Sequence, residues 1–464
     1  MNLLSLKSIH SPKSSCLRTI TACSPRQDLK GRTVAVVGLG ISGKAAARLA
    51  LARGASVVGI DQNENLLKQD SSFVTLKDNG LDTILGHFDW KLLNDADVVV
   101  VSPGVSLENY GLMYLLQSGK QVMSELDFAA EVLPKSVKIL AVTGTNGKST
   151  VVTFAGQMLS HFGINTFVGG NLGTPLSEMA FEHLRSPSQE SELKVAVVEV
   201  SSCQMEIPCV YFCPSVSVVL NLTPDHLERH KTMLSYAESK CRLFSHMANT
   251  KLGLLSFGNQ YLDDAVRKYW NKFNLAWIGA FPGVKIDTDA KIATFKVPDI
   301  GVASQLQLGG MRAIGNHNYY NAAVAALSVA GLDVGVHVEA INSTIEKLRP
   351  PPHRMQVVHK DIHGVTWVDD SKATNIALHI QGLRGHRCVI TFGSSGAMIH
   401  QTLSDNGLSI PCIQATNLKD AVQHARKMAK HGDAIVLSPA CASFDEFRNF
   451  EHRGMFFQEL AFSA

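Results

Sequence analysis

The sequence predicts an α/β protein of three domains: a Rossmann-like N-terminal domain, a central parallel-sheet domain of the P-loop ATPase kind, and a Rossmann-like C-terminal domain. Three observations predict it. Short β-branched runs end in glycine turns and give way to helical stretches, the pattern of parallel strands with crossover helices. That pattern breaks at LPKS (Leu133 to Ser136), and again at the three prolines 350–352, which hold the chain extended. A length of 464 residues suits about three domains of roughly 150 residues. A hydrophobic fraction of 45% is ample for their cores.

Residues 1–28 stand apart. Lys7, Lys13, Arg18 and Arg26 occur with six serines and no acid before Asp28, which reads as a cleavable transit peptide, since no continuous apolar core of a secretory signal is present. The expected destination is the plastid stroma, with the mitochondrion second; the plain alternative is a disordered tail. The first domain spans 29–136, with strands expected at VAVVG (Val34 to Gly38), SVVGID (Ser56 to Asp61), DVVVVSPG (Asp97 to Gly104) and QVMS (Gln121 to Ser124). The second spans 137–349, with KILAVTG (Lys138 to Gly144), KVAVVEVSS (Lys194 to Ser202) and VSVVLNLTPDH (Val216 to His226). The third spans 350–464, with VTWVDD (Val365 to Asp370), RCVITFG (Arg387 to Gly393) and DAIVLSPA (Asp433 to Ala440).

Composition narrows the partners. Forty-three basic and forty acidic residues, a net charge of +3, are too balanced for a polyanion binder, so small molecules are expected and nucleic acid is not. No apolar run approaches the roughly 20 residues that span a bilayer, so no membrane role is expected. The nine cysteines are scattered without a C-x-x-C pair, fitting reduced thiols better than a zinc site or a disulfide framework.

The strongest chemical signal is LAVTGTNGKST (Leu140 to Thr150). It sets Gly144, Thr145, Asn146 and Gly147 as a turn between a buried strand and a helix that opens with Lys148, Ser149 and Thr150. Backbone N–H groups of such a turn face phosphate oxygens, Lys148 adds a point charge, and a following hydroxyl ligates Mg²⁺, so the segment reads as an ATP site. The strict motif has glycine where Val142 stands, so the loop is a variant. Glu199 closes KVAVVEV, and ligands collect at the carboxyl ends of parallel strands, which marks it as an Mg²⁺ ligand. His226 ends the next strand beside it and reads as a second metal-site residue.

The two outer domains carry weaker signals. Gly38, Gly40 and Gly43 in VAVVGLGISG, followed by Asp61, form a dinucleotide fingerprint; it fits NAD, and equally any pyrophosphate, including a UDP-linked sugar. In the third domain Arg354, Asp370 and Lys372 suit charged substrate or nucleotide groups, and Ser443 with the Phe444 backbone suits a small carboxylate. Each of these has a plain alternative as a surface charge or a helix cap.

GTNGKST, VEVSS, NLTPDH, GNHNYYN, PPPHR, DDSKATN and SPACASFDEFRNFEHRG stand in the order found in the Mur ligase family, which the chain resembles from Leu29 onward. DDSKATN and the last motif resemble the branch that adds D-glutamate. The resemblance implies a monomeric ligase that uses ATP and Mg²⁺ to join D-glutamate to UDP-N-acetylmuramoyl-L-alanine through an acyl phosphate, in peptidoglycan precursor synthesis. It implies that Lys148, Ser149 and Thr150 hold the ATP phosphates, with Asn171, Glu199 and His226 around the metals. Lys240, otherwise a solvated helix residue, matches the lysine the family carbamylates, whose new negative charge helps hold a second Mg²⁺. Asn318 and Asn321 would meet base and ribose, Arg354 and Asp370 the phosphates and ribose from the third domain. Ile41 and Ser42 would meet the UDP pyrophosphate, and Lys372, Thr374, Ser443 and Phe444 would seat D-glutamate.

One stretch departs from the family. After DDSKATN the family passes through a helix and a strand to a glycine-rich loop bearing a lysine for D-glutamate, whereas here only Ile376 to Gly385 precede RCVITFG. The expectation is a shortened third domain with unpaired strand edges or an altered strand order, and a weak or inactive ligase. Competing readings are a folylpolyglutamate-synthase-like ligase, opposed by the N-terminal domain and DDSKATN, and a non-catalytic UDP-sugar or nucleotide binder derived from a ligase. An NAD-dependent oxidoreductase leaves the phosphate loop unexplained.

Overall fold

The first sheet contains five parallel strands, β1 (Thr33–Val37), β2 (Ser56–Asp61), β3 (Leu81–Leu85), β4 (Val98–Val101) and β5 (Val122–Ser124), in the order 3-2-1-4-5. The computed structural model describes residues 28–66, 72–108, 110–171, 173–185, 193–247, 251–313, 315–373, 386–405, 407, 410–439, 441, 443 and 445–463. The expected transit peptide, Thr374, Phe444 and the stretch from Ile376 to Gly385 therefore lie outside the described residues, Asp28 apart. Valine-rich β1 and β4 are almost fully buried because helices cover both faces of the sheet. Strand order reverses between β1 and β4, which is where such sheets bind ligands.

The central sheet has nine strands: β6 (Lys138–Thr143), β7 (Thr166–Gly170), β8 (Val195–Glu199), β9 (Val216–Val219), β10 (Leu252–Ser256), β11 (Asn274–Ile278), β12 (Gly283–Asp287), β13 (Ile292–Val297) and β14 (Val302–Gln307). Their order is 14-13-12-11-10-9-6-8-7, parallel except for the hairpins joining β12, β13 and β14. The helices Lys148–His161 and Asn316–Gly331 pack on one face over a core of Leu140, Val197, Leu254 and Phe295. Strands β3, β7 and β10 to β14 were not anticipated: β3 and β11 to β14 mix polar with apolar residues, and β7 and β10 are short runs interrupted by glycine.

The first and central domains share one apolar core, in which Leu49 and Phe128 join Leu176, Val198 and Met205. The helix Glu125–Ala130, capped by Ser124 through the Asp127 N–H (3.2 Å), is the joint. Asp127 accepts the backbone N–H groups of Val210 (2.9 Å), Tyr211 (2.7 Å) and Phe212 (2.8 Å), and Glu125 accepts that of Ser177 (2.6 Å). Burial pushes the Glu125 carboxyl up to about 7. Arg53, itself buried, pairs with Asp28 (2.6 Å) and Glu131 (2.9 Å) and stacks over Phe128.

The third domain has two separate sheets among the described residues. One is β15 (Gln356–Lys360), β16 (Thr366–Asp369) and β19 (Ala434–Leu437), in the order 15-16-19; the other is the pair β17 (Val389–Thr391) and β18 (Cys412–Gln414). No ladder joins β17 to β19, although Arg387 and Asp433, just ahead of them, form an ion pair (2.9 Å). Ser394 and Asp445 hydrogen-bond beyond their far ends (2.9 Å). A small core of Trp367, Leu418, Val422, Leu437 and Phe457 supports the three-stranded piece.

Candidate active site

The glycine turn between β6 and the helix Lys148–His161 requires left-handed backbone: Gly147 has φ 84°. A side chain there would strike Asn321 Oδ1, so the helix Asn316–Gly331 lies directly against the loop. The end of β9 fixes the loop further. Asn221 accepts the Asn146 N–H (2.8 Å) and donates to its carbonyl (3.0 Å), while Thr145 Oγ1 donates to the Thr223 carbonyl (3.2 Å). The Asn146 backbone and the Thr145 hydroxyl thus shape the loop. Lys148 Nζ donates to the carbonyls of Gly144 (3.0 Å) and Thr145 (2.9 Å). Burial holds its pKa below the ordinary lysine value, and Glu199 offsets part of that.

Glu199 sits buried at the end of β8, in register with Val142 of β6 and Gly170 of β7. It accepts from Ser149 Oγ (2.7 Å) and from Asn171 Nδ2 (3.2 Å). A buried carboxylate and a hydroxyl at a phosphate loop make a hard-oxygen donor set, which fits Mg²⁺. His226 follows with left-handed backbone (φ 51°) and a half-exposed ring turned to Asp225 (3.7 Å) and Glu228 (3.6 Å).

Lys240 is not the solvated residue that the bare sequence indicates. Thr232 caps the helix Met233–Cys241 and sets Lys240 in its buried last turn. Its ammonium donates to the same Gly144 carbonyl (3.0 Å) and lies 4.3 Å from the Tyr236 ring centroid. Burial first, then Lys148, lower its pKa well below the lysine value.

The third domain faces this loop. Arg354 is lowered by burial and raised in part by Asp370 and Glu199, so its guanidinium lies within the field of the metal-type carboxylate. Burial brings Lys372 down to about 8, again with Glu199 opposing, and its ammonium lies 5.2 Å from the Phe450 ring centroid. Asp370 accepts the Met355 N–H (3.2 Å) and the Ser438 hydroxyl (3.1 Å). Asn318 accepts from Asn321 (3.2 Å), and Ser443 is buried with its carbonyl accepting the Phe447 N–H (2.9 Å). One cavity of about 1550 Å³ takes in Asn146, Ser149, Thr150, Asn318, Asn321, Arg354 and Asp370.

In the first domain Gly43 packs so closely on the Gly38 carbonyl that a side chain could not fit, and Ser102 Oγ donates to that carbonyl (2.6 Å). Ile41 and Ser42 open the helix Ile41–Ala52, with Ile41 exposed at the turn. Asp61 accepts the Leu39 N–H (2.7 Å), so one of its oxygens holds the turn itself.

Several residues gave no sequence signal. Arg229 pairs with Glu206 (2.7 Å) and donates to the carbonyls of Pro103 (2.8 Å) and Val105 (2.9 Å), clamping the segment after NLTPDH to the loop that follows β4 and lies against Gly38. Cys203, Glu206 and His230 converge with donor atoms within 4.8 Å of one another, a group the scattered cysteines did not foretell. Among the described residues no helix is long and apolar enough to cross a membrane.

Comparison with known proteins agrees with this geometry. Residues 142–329 match the Mur ligase middle domain, and 32–124 match the Mur ligase MurD-like N-terminal domain. A UDP-N-acetylmuramoylalanine–D-glutamate ligase of Koribacter versatilis is 32% identical over 93% of this chain and 98% of its own length. The enzyme of the same name from Desulfosudis oleivorans is 35% identical over 92% and 95%. Among solved structures, UDP-N-acetylmuramate–alanine ligase MurC of Thermotoga maritima shares the fold with a TM-score of 0.53 at 17% identity, over 93% of this chain and 99% of its own. MurF of Acinetobacter baumannii has a TM-score of 0.52 at 15% identity, over 93% and 91%. With its phosphate loop, buried carboxylate and facing third domain, the chain belongs to the Mur ligase family.

Proposed function

We propose that this chain is an ATP-dependent ligase that adds D-glutamate to UDP-N-acetylmuramoyl-L-alanine through an acyl phosphate. One observation carries the reading: Arg354 and Asp370 of the third domain line the same cavity as Asn146, Ser149 and Thr150 at the phosphate loop of the central domain. Lys148 and Arg354 hold the γ-phosphoryl group in line with the L-alanyl carboxylate and offset the charge that develops as it transfers. Ser149 and Glu199, with His226 and Lys240 beside them, would hold Mg²⁺, which would supply further charge neutralisation at the phosphoryl oxygens. The Gly38 turn, with Ile41 and Ser42, takes the UDP pyrophosphate at a helix N-terminus. Lys372, Thr374, Ser443 and Phe444 receive D-glutamate, whose amine attacks the acyl carbon and expels phosphate.

The lowered pKa of Lys240 supports its carbamylation, because only the neutral amine attacks CO₂. The acid-free leader supports plastid import. The divided third domain supports the reading that it is shortened and that D-glutamate addition is slow. The test is phosphate release by the full chain from ATP, with UDP-N-acetylmuramoyl-L-alanine, with and without D-glutamate. Release that depends on the UDP-substrate, with an amide product when D-glutamate is present, is the expected result; release indifferent to the UDP-substrate overturns the reading.

A further inference from the structure

The cavity that begins at the phosphate loop does not end at the interdomain cleft. It continues between the two pieces of the third domain, lined on one side by Val389, Ile390 and Thr391 of β17 and on the other by Ala434, Ile435 and Val436 of β19. Strands with that composition ordinarily pair on both edges, yet among the described residues no ladder joins the facing edges, and the Arg387–Asp433 and Ser394–Asp445 bonds across them are made by side chains beyond their ends. At about 30 Å³ per water, the 1550 Å³ cavity has room for on the order of fifty waters, and its inner end is polar. Mur-type chemistry depends on closing the third domain over the loop to exclude water from the reactive intermediate. A closure that moves the third domain as a body would narrow the cleft between domains and leave a gap within the domain unchanged.

We propose that the chain is therefore also a substrate-dependent phosphatase of its own intermediate: water entering between β17 and β19 hydrolyses the acyl phosphate before D-glutamate captures it. This rests on the function proposed above. The γ-phosphoryl group first passes from ATP to the L-alanyl carboxylate. The oxygen of water then bonds to the acyl carbon, the bond from that carbon to the bridging oxygen breaks, and phosphate leaves with the electron pair. A proton is released to solvent. The UDP-substrate is regenerated, and the net reaction is ATP plus water to ADP plus phosphate.

The test runs the full chain with ATP, Mg²⁺, UDP-N-acetylmuramoyl-L-alanine and saturating D-glutamate in ¹⁸O-water, counting phosphate against amide and locating the label. The expected result is at least about two phosphates per amide, with ¹⁸O in the L-alanyl carboxylate of recovered UDP-substrate. Ala434 is exposed on the wall of the gap, and Ala434→Phe should bring the ratio back toward one. One phosphate per amide, or excess phosphate with label in phosphate alone, overturns the proposal. Phosphate release indifferent to the UDP-substrate has a different signature: it removes the ligase reading and this proposal with it.

Discussion

The central and third domains are written in similar sequence and finish differently. In the central sheet β6, β8 and β9 lie between neighbours on both sides, and Leu140, Val197 and Val218 are fully buried. In the third domain β17 and β19 consist of equally β-branched residues, but each has one neighbour among the described residues; Val389, Ile390 and Ile435 are only half-buried and Val436 is 37% exposed. Composition selects strands, and pairing decides whether they are interior. The phosphate chemistry sits on the continuous sheet, whereas the residues assigned to the incoming amino acid hang on the divided one.

That contrast can be sharpened or broken by measurement. The largest effect is expected at the catalytic loop: Lys148→Ala should cut UDP-substrate-dependent phosphate release by about 10³-fold while the fold persists, checked by steady-state assay and circular dichroism. Next, Leu254→Ala in the central core should cost about 3 kcal/mol in denaturant unfolding. Glu125 at the joint of the first two domains comes third. Its folded pKa lies near 7, above the ordinary 4.5, so its protonated form adds stability below pH 4.5. That contribution is lost as pH rises to 7, and it amounts to up to about 3 kcal/mol. Glu125→Gln should flatten that part of the stability profile; an unchanged slope between pH 4.5 and 7 would contradict the assignment. The smallest effect is Ile435→Ala, expected to cost about 1 kcal/mol or less because half its surface contact is already missing. A cost equal to that of Leu254→Ala would show that the third-domain strands are as interior as the central ones and would dissolve the comparison.

How much of this could be read beforehand follows from range. The phosphate loop, Glu199 and the principal parallel strands were legible because their signals are local: a glycine turn between an apolar strand and a helix, or an acid at a strand end. Lys240 read as solvated, since its burial arises from Thr232 capping and from the Gly144 carbonyl nearly a hundred residues away. Asp61 read as a ligand-facing acid, yet its bond to Leu39 gives it work inside the turn. Arg229 and Glu206 are distant in sequence from the loop they clamp, and no spacing rule connects them. The short stretch after DDSKATN lies outside the described residues, and among those described no ladder joins β17 to β19.

The Arg229 clamp couples events that the mechanism treats as separate. Its guanidinium is fixed at one end to the carbonyls beside the Gly38 turn and belongs, through the helix Leu227–His230, to the segment that carries His226. A ligand at either of the proposed nucleotide sites would bear on the same short piece of backbone. By thermodynamic reciprocity, whatever factor the UDP-substrate contributes to ATP affinity, ATP must return in equal measure, and Arg229→Ala should bring that factor toward one in paired titration calorimetry.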